Sequence, residues 1–263
     1  MGNRLPLFSL GIIVASFACP PLFGQNRPPA ISEKAAPSSS TPDFSGVWMR
    51  SGPPASNKVL QSWIFAFNVE EPPMTAWGEE QYKAAKSSFG SHAYSIAETN
   101  DPVYHGCYPP GVPRVYLHPW PMQIVQARDE IVMLFEYDSL RRQISTDGRP
   151  HDTSLGPTWM GDSVGHWEGD TLVVDAINFN SRTWIDRLGH PHSEALHVVE
   201  RFRRTDHDHL VDDITIEDPK AYTKPWTAHL ELQLRPAWRL EEQFCEDGEN
   251  FQKMENKETS PKK

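Results

Sequence analysis

Short runs of β-forming residues, separated by turn residues, recur along most of this chain and restrict it to an all-β architecture. Asp147-Gly148 and Glu168-Gly169-Asp170 are two of the turns at which such runs end. Short strands at this spacing are typical of an antiparallel sandwich or barrel. The predicted strands cover residues 44–49, 122–126, 131–137, 140–145, 164–167, 171–179, 197–204, 210–217, 229–234 and 240–244.

One short helix and two long loops interrupt this β pattern. The helix is expected from Thr75, a suitable N-cap followed by Gly78 and an acidic first turn, to about Lys86. The segments 102–121 and 149–157 are rich in proline, so we expect them to be loops that cover one end of the sheet.

The N-terminal region has the features of a secretory signal. Arg4 precedes an apolar run, 7–17, that is too short to span a bilayer. Cleavage after Ala18 or after Gly24 fits the residue pattern, and Cys19 leaves lipid attachment open. We therefore expect export to the periplasm or the extracellular space. The predicted organisation is a signal peptide at 1–24, a disordered linker at 25–41, a β-barrel domain at 42–251 and a polar tail at 252–263.

The overall charge and the known motifs exclude several classes of function. The formal net charge is -10, and neither a basic stripe nor a nucleic-acid motif is present, which argues against nucleic acid as a partner. The sequence has no serine nucleophile elbow and no phosphate-binding glycine loop. We therefore expect a mature chain that does not span a membrane and that has a small molecule as its partner.

Two cysteines, Cys107 and Cys245, remain after the signal segment. In an oxidising compartment an even pair favours a disulfide. Such a bond would close a long loop, for which chain entropy gives roughly 4–5 kcal/mol at most. Two free buried thiols are the alternative.

A histidine-rich stretch between 182 and 204 is the main candidate for chemistry. His190 and His192 form an H-x-H pair, which places both rings on one side of an extended chain. With Asp186, Glu194 or a carboxylate from the sheet interior, the pair would suit a divalent metal such as Zn, Fe or Mn. The alternative is that both histidines make hydrogen bonds that close a loop over the end of the barrel.

Two further carboxylates are predicted to face the interior of the sheet. Glu200 lies on the same face of its strand as Val198 and Phe202, and Asp212 shares a face with Ile214. One possible register places the two carboxylates directly opposite each other. They are either satisfied by interior Arg or Tyr side chains or they take part in a ligand or metal site. The same parity places His197 on the outer face. The candidate catalytic residues are His190, His192, Asp186, Glu200 and Asp212.

A separate group of residues is suited to binding a ligand at the mouth of the sheet. Arg182 either pairs with Asp186 or binds a carboxylate of the ligand. Aromatic rings with polar tips suit such a mouth, although a packed loop with Trp226 in the core is equally compatible. The candidate ligand-binding residues are Arg182, Trp184, Tyr222, Lys224 and Trp226.

The chain also resembles known proteins. Asp43-Phe44-Ser45-Gly46-Val47-Trp48 is similar to the opening of lipocalin-like proteins, where Gly-x-Trp lies on the first barrel strand. Longer blocks resemble a large uncharacterised family of exported bacterial proteins. These blocks are PMTAWGE (73–79), GVPR (111–114), SVGHWEGDTLVVD (163–175), TWIDRLGHPHSEALH (183–197) and DPKAYTKPW (218–226). The resemblance implies export and a single antiparallel, lipocalin-like (calycin-type) β-barrel, and it carries over no mechanism.

Three functions are compatible with these observations. The first is an exported soluble protein that binds a small, partly apolar molecule in the barrel cavity. The second is a metal-dependent or His/carboxylate acid-base enzyme acting on a small molecule in the same cavity. The third is a structural envelope protein without a small ligand.

Overall fold

The structure is a computed structural model, and it describes residues 41–51, 66–68, 70–90 and 92–245. The predicted signal peptide and the predicted polar tail lie outside the described residues. So do the last six residues of the predicted barrel domain and all of the predicted linker except Thr41.

Nine strands of the described chain form a closed barrel. Each strand pairs with the next, and the last pairs with the first. The strands are β1 (Gly46–Ser51), β2 (Met122–Gln126), β3 (Glu130–Phe135), β4 (Arg141–Ser145), β5 (Asp162–Glu168), β6 (Thr171–Ile177), β7 (His197–Arg204), β8 (His209–Glu217) and β9 (Trp226–Leu234). The mainly β, single-barrel prediction is confirmed.

The prediction of a wholly antiparallel barrel is wrong at one place. β4 and β5 run parallel, with Ile144 opposite Ser163 and Ser145 opposite Val164. The other neighbouring strands are antiparallel. A parallel pair needs a long connection to return the chain to the starting end, and residues 146–161 supply it. The sequence pattern showed this loop but not the direction of the strand that follows it.

The predicted strand at 240–244 is not a strand in the structure. This segment lies instead against the turn that follows β3, where the backbone N–H of Glu241 donates to Glu136 Oε2 at 2.9 Å and that of Asp138 donates to Gln243 Oε1 at 2.5 Å. The pairing of β1 with β9 gives every barrel strand two neighbours, so no edge is left for a tenth strand.

The disulfide between Cys107 and Cys245 is present. It joins the segment before β2 to the segment after β9, and it closes a loop with a sequence separation of 138. The bond therefore ties the connection between β1 and β2 to the segment that follows the last strand.

Two short helices pack outside the strands. α1 (Ala76–Ala84) begins at the predicted N-cap, where Thr75 Oγ1 accepts a hydrogen bond from the Gly78 N–H at 3.1 Å, and it ends two residues before the predicted Lys86. A Cβ at Gly78 would lie 2.3 Å from the carbonyl oxygen of Ala221, so only glycine permits this close contact. α2 (Pro102–Gly106) begins within the proline-rich segment and is capped by Asp101.

The interior faces of the strands form one apolar core. Trp48, Phe202, Ile214 and Ile144 are among its fully buried members. The predicted inner faces of β7 and β8 are buried in the register that the apolar pattern requires, since Val198 lies opposite Ile216.

A short 3₁₀ turn, Arg114–Leu117, closes one end of the barrel and places a tyrosine inside it. All four of its residues are buried. The Tyr116 hydroxyl donates to Glu200 Oε1 at 2.8 Å and accepts from Arg142 Nη1 at 2.7 Å. Arg142 also donates to both Glu200 oxygens, at 2.8 and 2.5 Å, and to the Ser163 hydroxyl. A buried ion pair with hydrogen-bonding neighbours therefore links β4, β5, β7 and the closing turn.

We expect Glu200→Gln to lower the free energy of unfolding by about 3–5 kcal/mol, because it leaves the Arg142 charge buried without its counter-charge. The matched control is Glu168→Gln, which breaks an exposed, solvent-screened ion pair with Arg201 and should change the free energy of unfolding very little. Urea unfolding of the two variants measures the difference. Equal losses would contradict a dominant role for the interior pair.

Candidate functional site

The loop between β6 and β7, residues 178–196, carries half of the predicted catalytic and ligand-binding residues. Asp186 organises its centre, because Oδ1 accepts the backbone N–H groups of Leu188, Gly189 and His190 at 2.9, 3.1 and 3.2 Å. Gly189 has a φ of 102°, a backbone conformation that disfavours other residues. The short-range sequence around the Gly-His-Pro turn therefore sets the loop shape that positions both histidines.

His190 lies between two carboxylates. Its Nδ1 is 2.5 Å from Asp186 Oδ2, its Nε2 is 2.5 Å from Glu71 Oε2, and the ring stacks on Tyr82 at 4.4 Å. A carboxylate only accepts hydrogen bonds, so both ring nitrogens carry protons when both contacts form. Burial lowers the pKa of His190, but the two carboxylates outweigh it and raise the pKa to about 9. At neutral pH this residue is a charged link between the loop and the segment before α1.

His192 has different surroundings and a different charge. The ring is buried, with Nδ1 3.2 Å from the Ser193 carbonyl oxygen and Nε2 3.3 Å from the Thr183 hydroxyl oxygen. A carbonyl cannot donate, so Nδ1 carries the proton and Nε2 accepts from Thr183. Burial lowers the pKa of His192, which keeps the imidazole neutral.

The two histidines of the H-x-H pair therefore share no partner. Within the described ranges no group of three or more His, Cys, Asp or Glu side chains is placed to hold a metal ion. The metal site at His190 and His192 stays a prediction. As the loop is arranged, both nitrogens of His190 are engaged by carboxylates, so this residue would have to leave them to coordinate a metal.

Glu200 and Asp212 both face the barrel interior and are fully buried, as the strand parity predicts. They are not directly opposite each other. Glu200 lies opposite Ile214, and Asp212 lies opposite Phe202. Glu200 is paired with interior Arg and Tyr side chains, which was the structural alternative. No contact between described residues joins either carboxylate to His190 or His192.

Asp212 has no hydrogen-bond partner for either carboxyl oxygen among the residues that the structure describes. The backbone N–H of Arg201 is near the carboxyl group but outside hydrogen-bonding geometry. Burial, with the neighbouring charge of Glu200, raises the pKa of Asp212 well above its usual value. Burial therefore favours the neutral form of Asp212, next to the ion pair of Glu200 and Arg142.

His197 lies on the outside of the barrel, where the parity places it. Its Nε2 is 3.1 Å from Asp175 Oδ2. The other oxygen of Asp175 is 3.0 Å from His151 Nε2. These partly exposed groups lie on the barrel wall and are not among the residues that line the cleft described next.

A surface cleft of about 730 Å³ lies at the end of the barrel where β7 and β9 begin. The loop before β7, the loop between β8 and β9, and α1 provide most of its walls. Its lining residues are Trp77, Gln81, Pro102, Ser181, Arg182, Thr183, Trp184, Pro191, His192, Ser193, Glu194, Ala195 and Lys220. Three of the predicted site residues, Arg182, Trp184 and His192, thus meet in one place.

The other predicted ligand residues do not line this cleft. Tyr222 is buried, and its hydroxyl donates to the Pro191 carbonyl at 2.8 Å, which holds the loop that carries His192. Trp226 is the first residue of β9 and belongs to the core, edge-on to Tyr222 at 5.5 Å. Lys224 is exposed.

Arg182 does not form the ion pair with Asp186 that was one of its two predicted roles. Its guanidinium carbon lies 4.5 Å from the Tyr108 ring centre and 4.8 Å from that of Trp159. Within the described chain its side chain has no ion-pair partner. Asp186 is occupied by the backbone of its own loop, which explains why the short sequence spacing did not produce the pair.

Sequence reasoning missed Glu71, Thr183, Lys220 and Trp77. Glu71 is 119 residues away from its partner His190, so no local pattern could have linked them. Thr183 and Lys220 lie within the blocks 183–197 and 218–226. Their closeness in sequence to predicted site residues could have pointed to them. Lys220 is 4.5 Å from the Trp77 ring, a contact made through the packing of α1.

No protein-family model, no curated protein and no solved structure matches the chain. Membership of the exported bacterial family therefore stays a prediction, and the closed nine-stranded barrel is compatible with a lipocalin-like fold without establishing it. The described part of the chain contains no helix long and apolar enough to cross a membrane.

The charged His190 should make folding stability depend on pH. Its folded pKa of about 9 exceeds the unfolded value of about 6.5, so its contribution is complete below 6.5 and is lost as the pH rises through 9. We expect His190→Gln to cost about 3 kcal/mol at pH 6 and much less at pH 10. Urea unfolding of both proteins at the two pH values tests this, with the exposed His207→Gln as control. A cost that does not change with pH would contradict the charged form.

Asp212 should act in the same direction as His190 but from a lower pH, since it destabilises the fold when it must ionise. Its folded pKa is raised, so its contribution to stability falls as the pH rises above the unfolded value of about 3.9. We expect Asp212→Asn to flatten this slope and to have a higher Tm relative to wild type at pH 7 than at pH 4. Thermal unfolding from pH 4 to 8 measures it, and parallel profiles would exclude a neutral buried Asp212.

Proposed function

We propose that this chain binds a small, partly apolar molecule in the cleft beside Trp184. The observation that supports this most is the lining, which combines two indole rings with a few polar groups. Trp77 and Trp184 offer apolar surface, while Arg182, Thr183 and His192 offer polar contacts. The volume of about 730 Å³ lies in the usual range for small-molecule sites.

The proposal places the ligand at the end of the barrel rather than within it. Large buried side chains, among them Trp48, Phe202 and Arg142, occupy the interior together with the Tyr116 ring. The cleft lies on loops that the barrel holds in place, where binding residues are commonly found. Two predicted ligand residues, Arg182 and Trp184, support the same location.

We also infer that the protein is exported and functions in an oxidising compartment. The Cys107–Cys245 disulfide supports this, because such bonds persist outside the reducing cytosol. The closed barrel and the opening Gly46-Val47-Trp48 segment support a lipocalin-like kind of binding protein, with β1 carrying the glycine and tryptophan.

An acid-base enzyme acting in the same cleft is the second candidate, and one observation favours it. His192 lines the cleft as a neutral imidazole whose Nε2 is an acceptor for Thr183. A neutral imidazole is the usual general base near pH 7. In this case His192→Gln would abolish turnover of a bound compound while leaving its Kd within about twofold, and unchanged turnover would remove the candidate.

We expect Trp184→Ala to weaken binding of indole, used as a neutral apolar probe, by about tenfold, because the variant removes part of the apolar wall. The matched control is Trp238→Ala, since Trp238 is half-exposed and borders a different surface groove. Chemical-shift titration of both variants and the wild type gives the three Kd values. If indole shifts no resonance of the cleft in the wild type, the proposed function fails.

A further inference from the structure

The cleft contains two cations that lack acidic partners in the described chain. The Arg182 guanidinium is held by the Tyr108 and Trp159 rings, and the Lys220 ammonium lies over Trp77. Neither makes an ion pair with a described carboxylate. Both are exposed at the cleft surface, so they are accessible to a ligand.

The nearby acids leave this positive charge largely uncompensated. Glu194 is the acidic residue in the cleft lining. Asp218 is close to Lys220 in sequence, but it is buried, and its oxygens accept from Ser193 N, Ser193 Oγ, Lys220 N and Ala221 N. His192 is neutral, so two cations and one acid give the lining a net charge of about +1.

The contacts of Arg182 select a particular kind of anion. Aromatic rings that hold a guanidinium through cation–π contacts leave its N–H edge available. This edge matches a carboxylate, which it binds with two parallel hydrogen bonds. The backbone N–H of Arg182 donates to Asn180 Oδ1 at 3.0 Å, which fixes the start of the segment that presents the side chain.

We propose that the cleft recognises a monoanion made of a planar ring and a carboxylate, with Arg182 binding the carboxylate and the Trp184 and Trp77 side of the cleft contacting the ring. This inference rests on the proposed binding function and adds the chemical class of the ligand. Lys220 adds long-range attraction, while Arg182 provides the directional contact.

The test uses indole-3-acetate and its neutral analogue indole-3-acetamide as probes for the full mature chain. We expect the wild type to bind the acetate about tenfold more tightly than the acetamide, since one charge-assisted pair separates them. Arg182→Gln should bring that ratio close to one, mainly by raising the Kd of the acetate. The control is Arg149→Gln, since Arg149 is an exposed arginine that pairs with Asp147 elsewhere and its loss should preserve the ratio.

The outcomes separate the two proposals. If both probes bind the cleft of the wild type with equal Kd, the carboxylate inference is overturned and the proposed function stands. If neither probe shifts the cleft resonances, both are overturned. An undiminished preference for the acetate in Arg182→Gln would also overturn the role of Arg182. Thermal unfolding of each variant confirms that the fold is retained, which we expect because Arg182 is exposed.

Discussion

The ion pair between Arg142 and Glu200 is buried inside the barrel. The packing of the strands around it depends on this pair keeping all of its hydrogen-bond partners. A charge removed from water is costly unless its counter-charge and hydrogen-bond partners are in place. Here the Tyr116 hydroxyl and the Ser163 hydroxyl complete the set. Because Tyr116 belongs to the turn that closes the barrel end, the same contacts couple closure of the barrel to pairing of its interior charges.

Asp212 is a second buried carboxyl group, and it does not share in the hydrogen bonds of this ion pair. It lies beside the pair and finds no partner among the described residues, so the energetically accessible form is the neutral acid. Of these two carboxyl groups on adjacent strands, one is ion-paired and the other has no hydrogen-bond partner among the described residues. Environment, rather than residue type, sets the difference between them.

The same separation of charge states recurs in the loop before β7. His190 is enclosed by Asp186 and Glu71 and is charged, whereas His192, two residues later, is neutral. The charged ring connects the loop to the segment before α1 and so supports the wall from which Trp77 reaches the cleft. In the proposed function, the neutral ring and Arg182 are the polar groups available to a ligand.

Much of the barrel could be predicted from local sequence, because alternation of apolar residues and turn residues determines strands and their inner faces. The burial of Glu200 and Asp212 followed from that parity. The strand direction after a long loop could not be predicted in this way, and neither could the contact of Glu71 with His190. Both depend on which distant segments of the chain meet. The segment 240–244 has strand-like residues but meets a barrel that is already closed. The strand propensity of a segment does not show whether the sheet has a free edge with which that segment could pair.

The division between a filled interior and a polar cleft on the loops follows from these constraints. The centre of the barrel holds an ion pair, a tyrosine and a buried acid, so a ligand entering it would have to replace contacts that the fold requires. Side chains on the loops are not part of these interior contacts. Arg182 rests on two aromatic rings, and its polar edge stays free of described carboxylates, so it can change partners without a cost to the core. A stable centre of this kind would leave the exposed cations of the cleft available for the proposed ligand.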